Sequence, residues 1–392
     1  MALQPSGEIR ASQIKAEFGD SGPSVVGKNY PPGSVSFGAY RDVSESHGGK
    51  TFTLDHNFST DTSHIPRRGA TGSIKFSDFY NAKLNVVCAY GTPPGTRRGN
   101  TVRERYNSND GIFVIGNFKN KPNSNASDFK FVIYVHGTLP SKKGNRNFCA
   151  LRTGKFNSEL EVNLIVGSTA RIYGAGGDGG HGGRWRDMED PPGDPGQDGT
   201  SAIGVQTNIN ILRIETNAIV MGGGGGGGGG GASKYYEENQ TAGGGGGGGG
   251  AGSPYGLGGG VGFANDGDPD GTAGQPGSSE QGGDGGDGGA HSSGNACGGG
   301  GGAGGSWINS GNAGSGGTQG GRSGDNGTEG SGGDGGTGGR SDAAGSNEDD
   351  NNGQTGGEGG YAIIVESGSS VSQYVNNDLA YGTIVLGGGT VK

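Results

Sequence analysis

Six histidines are the residues of this sequence whose chemistry would best suit catalysis or zinc binding. None has a partner at metal-binding spacing; they are His47, His56, His64, His136, His181 and His291. The segment HGGKT at residues 47–51 resembles the end of a phosphate-binding loop, but Ser44 stands where such a loop needs its first glycine. Matches to GxGxxG are uninformative inside glycine runs, because no strand and acidic residue frame them. We therefore predict no enzymatic activity and no cofactor.

Aspartates separated by glycines are candidates for calcium binding. They occur in NDGDPDG at residues 265–271 and in GGDGGDGG at residues 282–289. Nine-residue calcium repeats carry an apolar residue after the aspartates to fill a β-roll core, and both segments lack it. The prediction is no metal site. An incidental ion held by Asp266, Asp268 and Asp270 is the alternative.

The cysteines and the overall charge exclude further classes of site. Cys88, Cys149 and Cys297 lie far apart without a CxxC motif, so one disulfide could form, but unpaired core thiols are expected. The net charge of -9 without a basic cluster argues against nucleic-acid binding. No apolar stretch approaches the roughly 18 residues of a membrane span, and MALQPSGEIR lacks signal-peptide features. We expect neither a nucleic-acid partner nor membrane insertion.

The elements that must position any functional side chains are unusual, since 98 of 392 residues are glycine and only 28% are apolar. A conventional core cannot extend through such a chain. Glycine also loses more backbone freedom on folding than any other residue, roughly 0.5–1 kcal/mol relative to alanine. A folded glycine tract therefore needs a specific compensation.

Residues 1–83 contain a repeated motif. The copies GEIRASQI, GSVSFGAY and GSIKFSDFY begin at Gly7, Gly33 and Gly72. Each is typical of a glycine turn, a short extended segment and a small amphipathic turn. Their irregular spacing argues against a solenoid. We interpret them as small attachment repeats that need a partner surface, with an ordinary small domain as the alternative.

Residues 84–170 have an ordinary composition. The segments LNVVCAY, GIFVIGNF, FKFVIYVHG and LEVNLIVG are rich in β-branched and aromatic residues and are bounded by Asn, Pro and Gly. This pattern predicts a compact antiparallel β domain of a size that one core can support.

Residues 171–392 hold most of the glycine, and their interruptions keep a period of three. Asp284 and Asp287 are one example. A polyproline II-type helix has three residues per turn, so such side chains would line one edge of a glycine helix. The uninterrupted tracts at residues 222–231 and 243–250 would be interior helices, where a Cβ has no room. We predict a mainly β protein with a polyglycine II bundle interleaved with short strands.

The loops of this bundle should sort onto two ends if successive tracts run up and down. The expected tracts are residues 174–183, 222–231, 243–252, 256–262, 282–289, 298–305, 314–321, 332–339 and 353–360. One end would receive residues 232–242, 263–281, 306–313 and 340–352, and the other residues 253–255, 290–297 and 322–329. The first end carries most of the loop aromatics, which suit a contact surface. Alternatively, Phe263 and Trp307 fold back to cap the bundle.

Several segments carry a resemblance to phage proteins. LQPSGEIRASQIKAEFG and GSIKFSDFYNAK resemble motifs of tail-fibre and baseplate-associated proteins of tailed bacteriophages. VNLIVGSTARIYGAGGDGG and TSAIGVQTNINILRIETNAIVMGGGGGGGGG are similar to glycine-rich distal regions of phage tail fibres and receptor-binding proteins. In style they resemble the adhesins of T-even-like phages, in which polyglycine II helices form a sandwich bearing variable receptor-binding loops. The β domain is not covered, and the N terminus does not look like the fibre-capping domain of those adhesins.

The resemblance implies a tail fibre or tail-tip adhesin of the virion. Its N terminus would attach to other tail or baseplate proteins, and its glycine-rich loops would bind a bacterial polysaccharide or outer-membrane protein. The expected receptor-binding residues are Tyr235, Tyr236, Phe263, Trp307 and Ile308. A homotrimer and a bundle closed within one chain both stay open. The alternatives are an architectural baseplate or tail component without receptor binding, and a glycine-rich ice-binding protein.

Overall fold

The computed structural model describes residues 6–13, 43–47, 50–55, 85–90, 130–156, 160–185, 192–235, 239–265, 267–292, 296–306, 322–327, 342–343, 348–350 and 352–376. Several predicted features lie outside these residues: the repeats GSVSFGAY and GSIKFSDFY, the segment GIFVIGNF, the tracts at 314–321 and 332–339, and Tyr236, Trp307 and Ile308. Within the described part, the protein is mainly β, as predicted, with helical residues at 11–13. None of these residues forms a helix long and apolar enough to cross a membrane.

The largest sheet has seven strands. They are β1 (Val43–His47), β2 (Lys50–Asp55), β3 (Asn85–Tyr90), β4 (Lys130–Val135), β7 (Glu161–Val166), β10 (Ile209–Ile214) and β18 (Val371–Asn376). Their order is β1-β2-β3-β4-β7-β10-β18. The pairs β1–β2 and β2–β3 are antiparallel, whereas every pair from β3 to β18 is parallel.

Two three-stranded sheets are entirely parallel. One contains β5 (Thr138–Pro140), β8 (Arg171–Tyr173) and β11 (Ile219–Met221), and the other contains β6 (Cys149–Arg152), β9 (Ser201–Val205) and β17 (Ile363–Val365). Two smaller antiparallel sheets consist of β12 (Ser233–Tyr235), β13 (Gln240–Ala242) and β16 (Glu348–Asp350), and of β14 (Ala296–Cys297) with β15 (Asp342–Ala343).

The parallel strands form a three-sided β-solenoid. The chain visits the three parallel sheets in the same order three times, through β4, β5 and β6, then β7, β8 and β9, then β10, β11 and β17. The expectation of an antiparallel β domain was therefore wrong for these strands. Parallel neighbours need long crossover connections, and here the crossovers are the other two sides of each turn. A run of β-branched and aromatic residues is compatible with parallel and with antiparallel pairing, so the sequence did not distinguish the two arrangements.

Apolar side chains from all three sides fill the solenoid interior. Alternate residues of β4, Phe131, Ile133 and Val135, join this core, as do Leu151 of β6 and Ile203 of β9. Each of these side chains is almost completely buried. Burial of one such side chain contributes about 1.5–3 kcal/mol, so this core is the main source of stability for the β part.

The glycine-rich chain is inserted into the solenoid at the same corner of two successive turns. It leaves after β8, returns at β9, leaves again after β11 and returns at β17. Since β5 pairs with β8 and β7 with β10, strands on both sides of the boundary expected between residues 170 and 171 share sheets. The solenoid therefore carries the glycine-rich part as an insertion.

The inserted chain folds into extended segments, here called rods. They are rod 1 (residues 174–183), rod 2 (193–200), rod 3 (222–231), rod 4 (243–251), rod 5 (256–262), rod 6 (271–277), rod 7 (282–289), rod 8 (298–306), rod 9 (322–327) and rod 10 (354–360). Rods 3 and 4 are buried at every residue, as expected of interior segments.

Backbone hydrogen bonds between rods replace those of helices and sheets. In rod 4, the N–H groups of Gly244, Gly245 and Gly246 donate to rods 1, 8 and 6, at 3.1, 2.9 and 2.9 Å. The carbonyls of the same three glycines accept from rods 5, 3 and 7, at 2.9, 2.8 and 2.7 Å. The pattern repeats every three residues, so each turn of rod 4 bonds to six neighbours. No buried backbone group of these glycines is left without a partner, which is what a buried segment requires.

The rods need glycine for space. A Cβ built on Gly246 or Gly247 would lie closer than 3.0 Å to carbonyl oxygens of a neighbouring rod. Backbone conformation does not impose the requirement, because the described glycines with positive φ lie outside the rods: Gly7, Gly137, Gly154, Gly252, Gly267 and Gly368. Close packing of backbones is therefore what compensates for the backbone freedom that these glycines lose on folding.

Ion pairs fasten the bundle to the solenoid. The segment between β5 and β6 occupies the corner from which the bundle emerges in the next two turns. In it, Lys143 pairs with Asp178 of rod 1, and Arg146 pairs with Glu358 of rod 10. The Arg146 guanidinium also lies 4.3 Å from the centroid of the Tyr361 ring.

Replacing Arg146 by alanine should loosen this junction. A part-exposed ion pair and a cation–π contact each contribute at most about 1 kcal/mol, so we expect a loss near 1 kcal/mol. Calorimetry should show a melting temperature lower by about 2–4 °C. Lys142→Ala, in the same segment and exposed, should melt like the parent protein. Identical melting of the parent and Arg146→Ala would contradict the role of Arg146.

Two of the three cysteines match the sequence prediction. Cys149 and Cys297 are buried free thiols. Burial raises the pKa of Cys149 to about 11, with a smaller opposing effect of Arg152, so this thiol stays protonated at neutral pH.

Candidate functional site

The bundle has two unlike ends. At the proximal end, rods 1, 2, 3 and 10 join strands β8, β9, β11 and β17 of the solenoid. Rods 1 and 3 run in the same direction, since Gly177 and Gly183 donate to Gly224 and Gly230. Rod 4 runs the opposite way, because Gly224 and Gly230 donate to Ala251 and Gly245. The distal end is the opposite one, where the chain turns between the rods that leave the solenoid and those that return.

Residues 232–235 and 239–242 lie at the distal end, as expected, together with 263–265 and 267–270 from the start of the predicted loop 263–281. Residues 253–255 lie at the proximal end, also as expected. However, residues 271–277 form rod 6 instead of continuing a loop, since Gly271, Gly274 and Gly277 donate to rod 5. This extra rod reverses the direction of rods 7 and 8 relative to the prediction. Residues 290–292 and 296–297 therefore lie at the distal end, and rod 8 finishes at the proximal end, where the Ala251 N–H donates to Gly305 O.

The predicted contact residues are therefore divided. Tyr235 is half-buried on β12 and Phe263 is exposed directly after rod 5, both at the distal end. Tyr236, outside the described residues, follows Tyr235 in the chain. Trp307 and Ile308 are also outside them, and follow Ser306 at the proximal end. The structure thus brings Tyr235 and Phe263 to one end but does not bring the start of the 306–313 segment there.

Short strands join the connecting segments of the distal end. In β12, Ser233, Lys234 and Tyr235 lie opposite residues of both β13 and β16, so segments distant in sequence form one sheet. Lys234 is in register with Asp349, and Tyr235 with Glu348. The sheet fixes the backbone on either side of residues 236–238.

Two aspartates hold the segment at residues 263–270 in place. The Thr241 N–H and Oγ1–H donate to Asp268 Oδ2 at 2.8 and 2.7 Å. The Ala264 N–H donates to Asp270 Oδ1 at 2.8 Å. These carboxylates therefore organise the loop backbone. Within the described residues, no group of three His, Cys, Asp or Glu side chains is arranged to hold a metal ion.

Arg184 and Trp185 are distal residues that the sequence analysis missed, because they follow the predicted tract 174–183 and belong to none of the predicted tracts or end loops. The Trp185 N–H donates to Phe263 O at 2.8 Å, which joins the end of rod 1 to the end of rod 5. Trp185 is 4% exposed, and Lys234 Nζ lies 5.5 Å from its ring centroid. Arg184 Cζ lies 5.5 Å from the Phe263 ring centroid. Asp178, His181 and Arg184 are spaced three residues apart, so the period of the tract continues to Arg184. This spacing was the feature of the sequence from which its position at the end of rod 1 could have been predicted.

Exposed apolar side chains are concentrated on one rod. Tyr255, Leu257 and Phe263 are 47%, 57% and 42% exposed, and all three lie in or beside rod 5. Tyr255 lies at its proximal end and Phe263 at its distal end. Among the described residues, Phe263 is thus the large apolar side chain that faces solvent at the distal end.

The distal connecting segments are strongly acidic. Residues 184–192, 232–242, 263–270, 290–297 and 342–353 contain twelve Asp or Glu residues and three Lys or Arg residues in the sequence, a net charge of -9. The whole chain also has a net charge of -9, so the remainder is balanced. The basic residues are Arg184, Arg186 and Lys234.

Comparison with known families gives a match over half of the chain. The model of a family described as phage tail fibre adhesin Gp38 matches residues 101–296. This range contains most of the solenoid and rods 1 to 7, together with three of the five distal segments and the fourth up to residue 296. Searches of curated proteins and of solved structures returned no match.

Proposed function

Because this chain belongs to the family of the phage tail fibre adhesin Gp38, we propose that it binds a receptor on the host cell through the distal end of its glycine bundle. The family places the protein in the tail of the virion and makes it a host-attachment adhesin. Membership of this adhesin family implies a structural rather than a catalytic role.

The position of the distal end is the observation that carries the proposal. Among the described residues, the solenoid strands join the bundle at its proximal end, and this leaves the connecting segments at the distal end to meet a partner. Rods whose backbones bond to one another support these segments, which limits the entropy lost when they bind. We further propose that the rods are polyglycine II helices, a proposal supported by their period of three and by their lack of positive φ.

Tyr235, Tyr236 and Phe263 are the residues that we assign to the receptor contact. Tyrosine and phenylalanine provide a large contact area with few rotatable bonds, which suits adaptable recognition loops. Trp307 and Ile308 stay proposed contact residues, but they follow a rod that finishes at the proximal end. They should therefore be tested apart from the other three.

The N-terminal residues 1–83 are proposed to attach the protein to other tail or baseplate proteins. Their repeats are short, and the described strands β1 and β2 extend the largest sheet beyond β4 of the first solenoid turn, whereas the bundle leaves from the second and third turns. The described strands β1 and β2 and the distal end thus belong to separate parts of the molecule, which suits an adhesin held at one side and binding at the other.

Binding of the full chain to a panel of bacterial strains tests the proposal. We expect labelled protein to bind some strains and not others. The full chain is required, because a fragment starting at residue 171 would lose β4 to β7 and with them the solenoid core. A folded protein that bound no strain would instead support an architectural tail component.

A further inference from the structure

The Arg184–Phe263 pair has the geometry of a preformed contact. Both side chains are exposed, and the hydrogen bond from Trp185 to Phe263 fixes their backbones relative to each other. Arg184 Cζ lies 5.5 Å from the Phe263 ring centroid, close enough for a cation–π contact, and the planar guanidinium carries five N–H donors. Among the described residues, no hydrogen bond or ion pair involves these donors. The pair therefore offers an apolar ring beside donors suited to an oxyanion.

We propose that Arg184 and Phe263 form the contact centre of the distal end and bind a carboxylate of an acidic side chain on a protein receptor. This inference rests on the proposed function. A carboxylate can accept two parallel hydrogen bonds from a guanidinium, while the Phe263 ring contacts the apolar atoms beside it. Arginine and aromatic residues of this kind dominate the energy of many protein interfaces.

The charge of the distal segments favours a protein over an anionic polysaccharide. Twelve acidic and three basic residues in these segments would repel a chain of phosphates or sugar carboxylates. A protein surface can instead place one carboxylate at Arg184 and basic side chains against the acidic segments. Such mixed complementarity gives specificity, because a partner with the wrong arrangement meets like charges.

Substitutions at both ends of rod 5 test the contact centre. With intact cells of a strain that binds the full chain, Arg184→Ala and Phe263→Ala should each lower the affinity at least tenfold. Arg184→Lys should lower it similarly, since lysine keeps the charge but loses the planar, two-donor geometry. Tyr255→Ala and Leu257→Ala remove exposed apolar groups near the other end of the same rod and should change the affinity less than twofold. All variants should melt like the parent protein.

Pretreated cells test the chemistry of the receptor. Digestion of surface proteins with proteinase K should abolish binding, whereas periodate, which cleaves sugar diols, should leave it intact. The opposite result would overturn the protein carboxylate as the ligand. If the parent protein binds but Arg184→Ala and Phe263→Ala bind equally well, the contact centre is wrong while the proposed function stands. If the parent protein binds no strain, both fail.

Discussion

Replacing Gly246 by valine is expected to prevent the protein from folding. This residue lies in rod 4, where a Cβ would lie within 3.0 Å of the carbonyl oxygens of Gly259 and Gly260. Both obstacles are backbone atoms of rod 5, which itself bonds to rods 1, 4 and 6. A shift of rod 5 would therefore break hydrogen bonds throughout the bundle. We expect a cost of more than about 3 kcal/mol, a large part of the stability of a typical domain.

Soluble expression and calorimetry would measure this effect, with Gln275→Val as the matched control. Gln275 lies in rod 6 and is exposed, so the same side chain there points to solvent and should be tolerated. A soluble Gly246→Val protein with parental melting would show that rod 4 is not packed as described.

Removal of the distal tyrosines should abolish adsorption without unfolding the protein. Tyr235 lies on β12, and Tyr236 follows it in a segment anchored on both sides by a small sheet. An aromatic residue at the centre of an interface typically contributes about 2 kcal/mol to the binding free energy. Loss of two such residues should weaken binding at least about a hundredfold. The Tyr235→Ala/Tyr236→Ala double variant should therefore no longer bind cells, and addition of Trp307→Ala should change nothing further.

Tyr255→Ala/Tyr374→Ala provides the matched control, because it removes two exposed tyrosines that lie away from the distal end. This control should bind cells like the parent protein. Normal adsorption by a folded variant lacking Tyr235 and Tyr236 would disprove the assignment of those residues. Loss of adsorption only when Trp307 is also replaced would move the contact to the segment after Ser306.

The sequence predicted those parts of the bundle in which glycine alone fills the chain. Residues 222–231 and 243–250 have no side chains to place outside, so their interior position followed from composition. Rod 6 was missed because Thr272, Ala273, Gln275 and Pro276 made it look like a loop, although three glycines kept the period. The omission of rod 6 reversed the predicted end for the segment at 290–297 and for the finish of rod 8, whereas β15 and β16 of the predicted loop 340–352 lie at the end where they were expected. Direction along a bundle depends on the number of rods, so such an error propagates.

The solenoid could not be predicted for a different reason. A parallel sheet is defined by pairing between residues far apart in sequence, such as Leu212 with Tyr374 of β18. Local patterning reveals that a strand exists but not which strand lies beside it. Residues 222–362 separate β11 from β17, so two strands of the same turn appeared to belong to different parts of the chain. Trp185 was overlooked because its role arises from rod 5, which is remote in sequence.

The double insertion of the bundle has a mechanical consequence. Four peptide junctions, rather than two, connect the bundle to the solenoid, at the ends of β8 and β11 and the starts of β9 and β17. A force that pulls on the distal end acts along the rod axes, whereas the hydrogen bonds between rods run across these axes. Sliding one rod past its neighbours would require many of these bonds to break together instead of one after another. The geometry is that of a bundle loaded in shear, which suits a protein that must hold a moving particle to a cell.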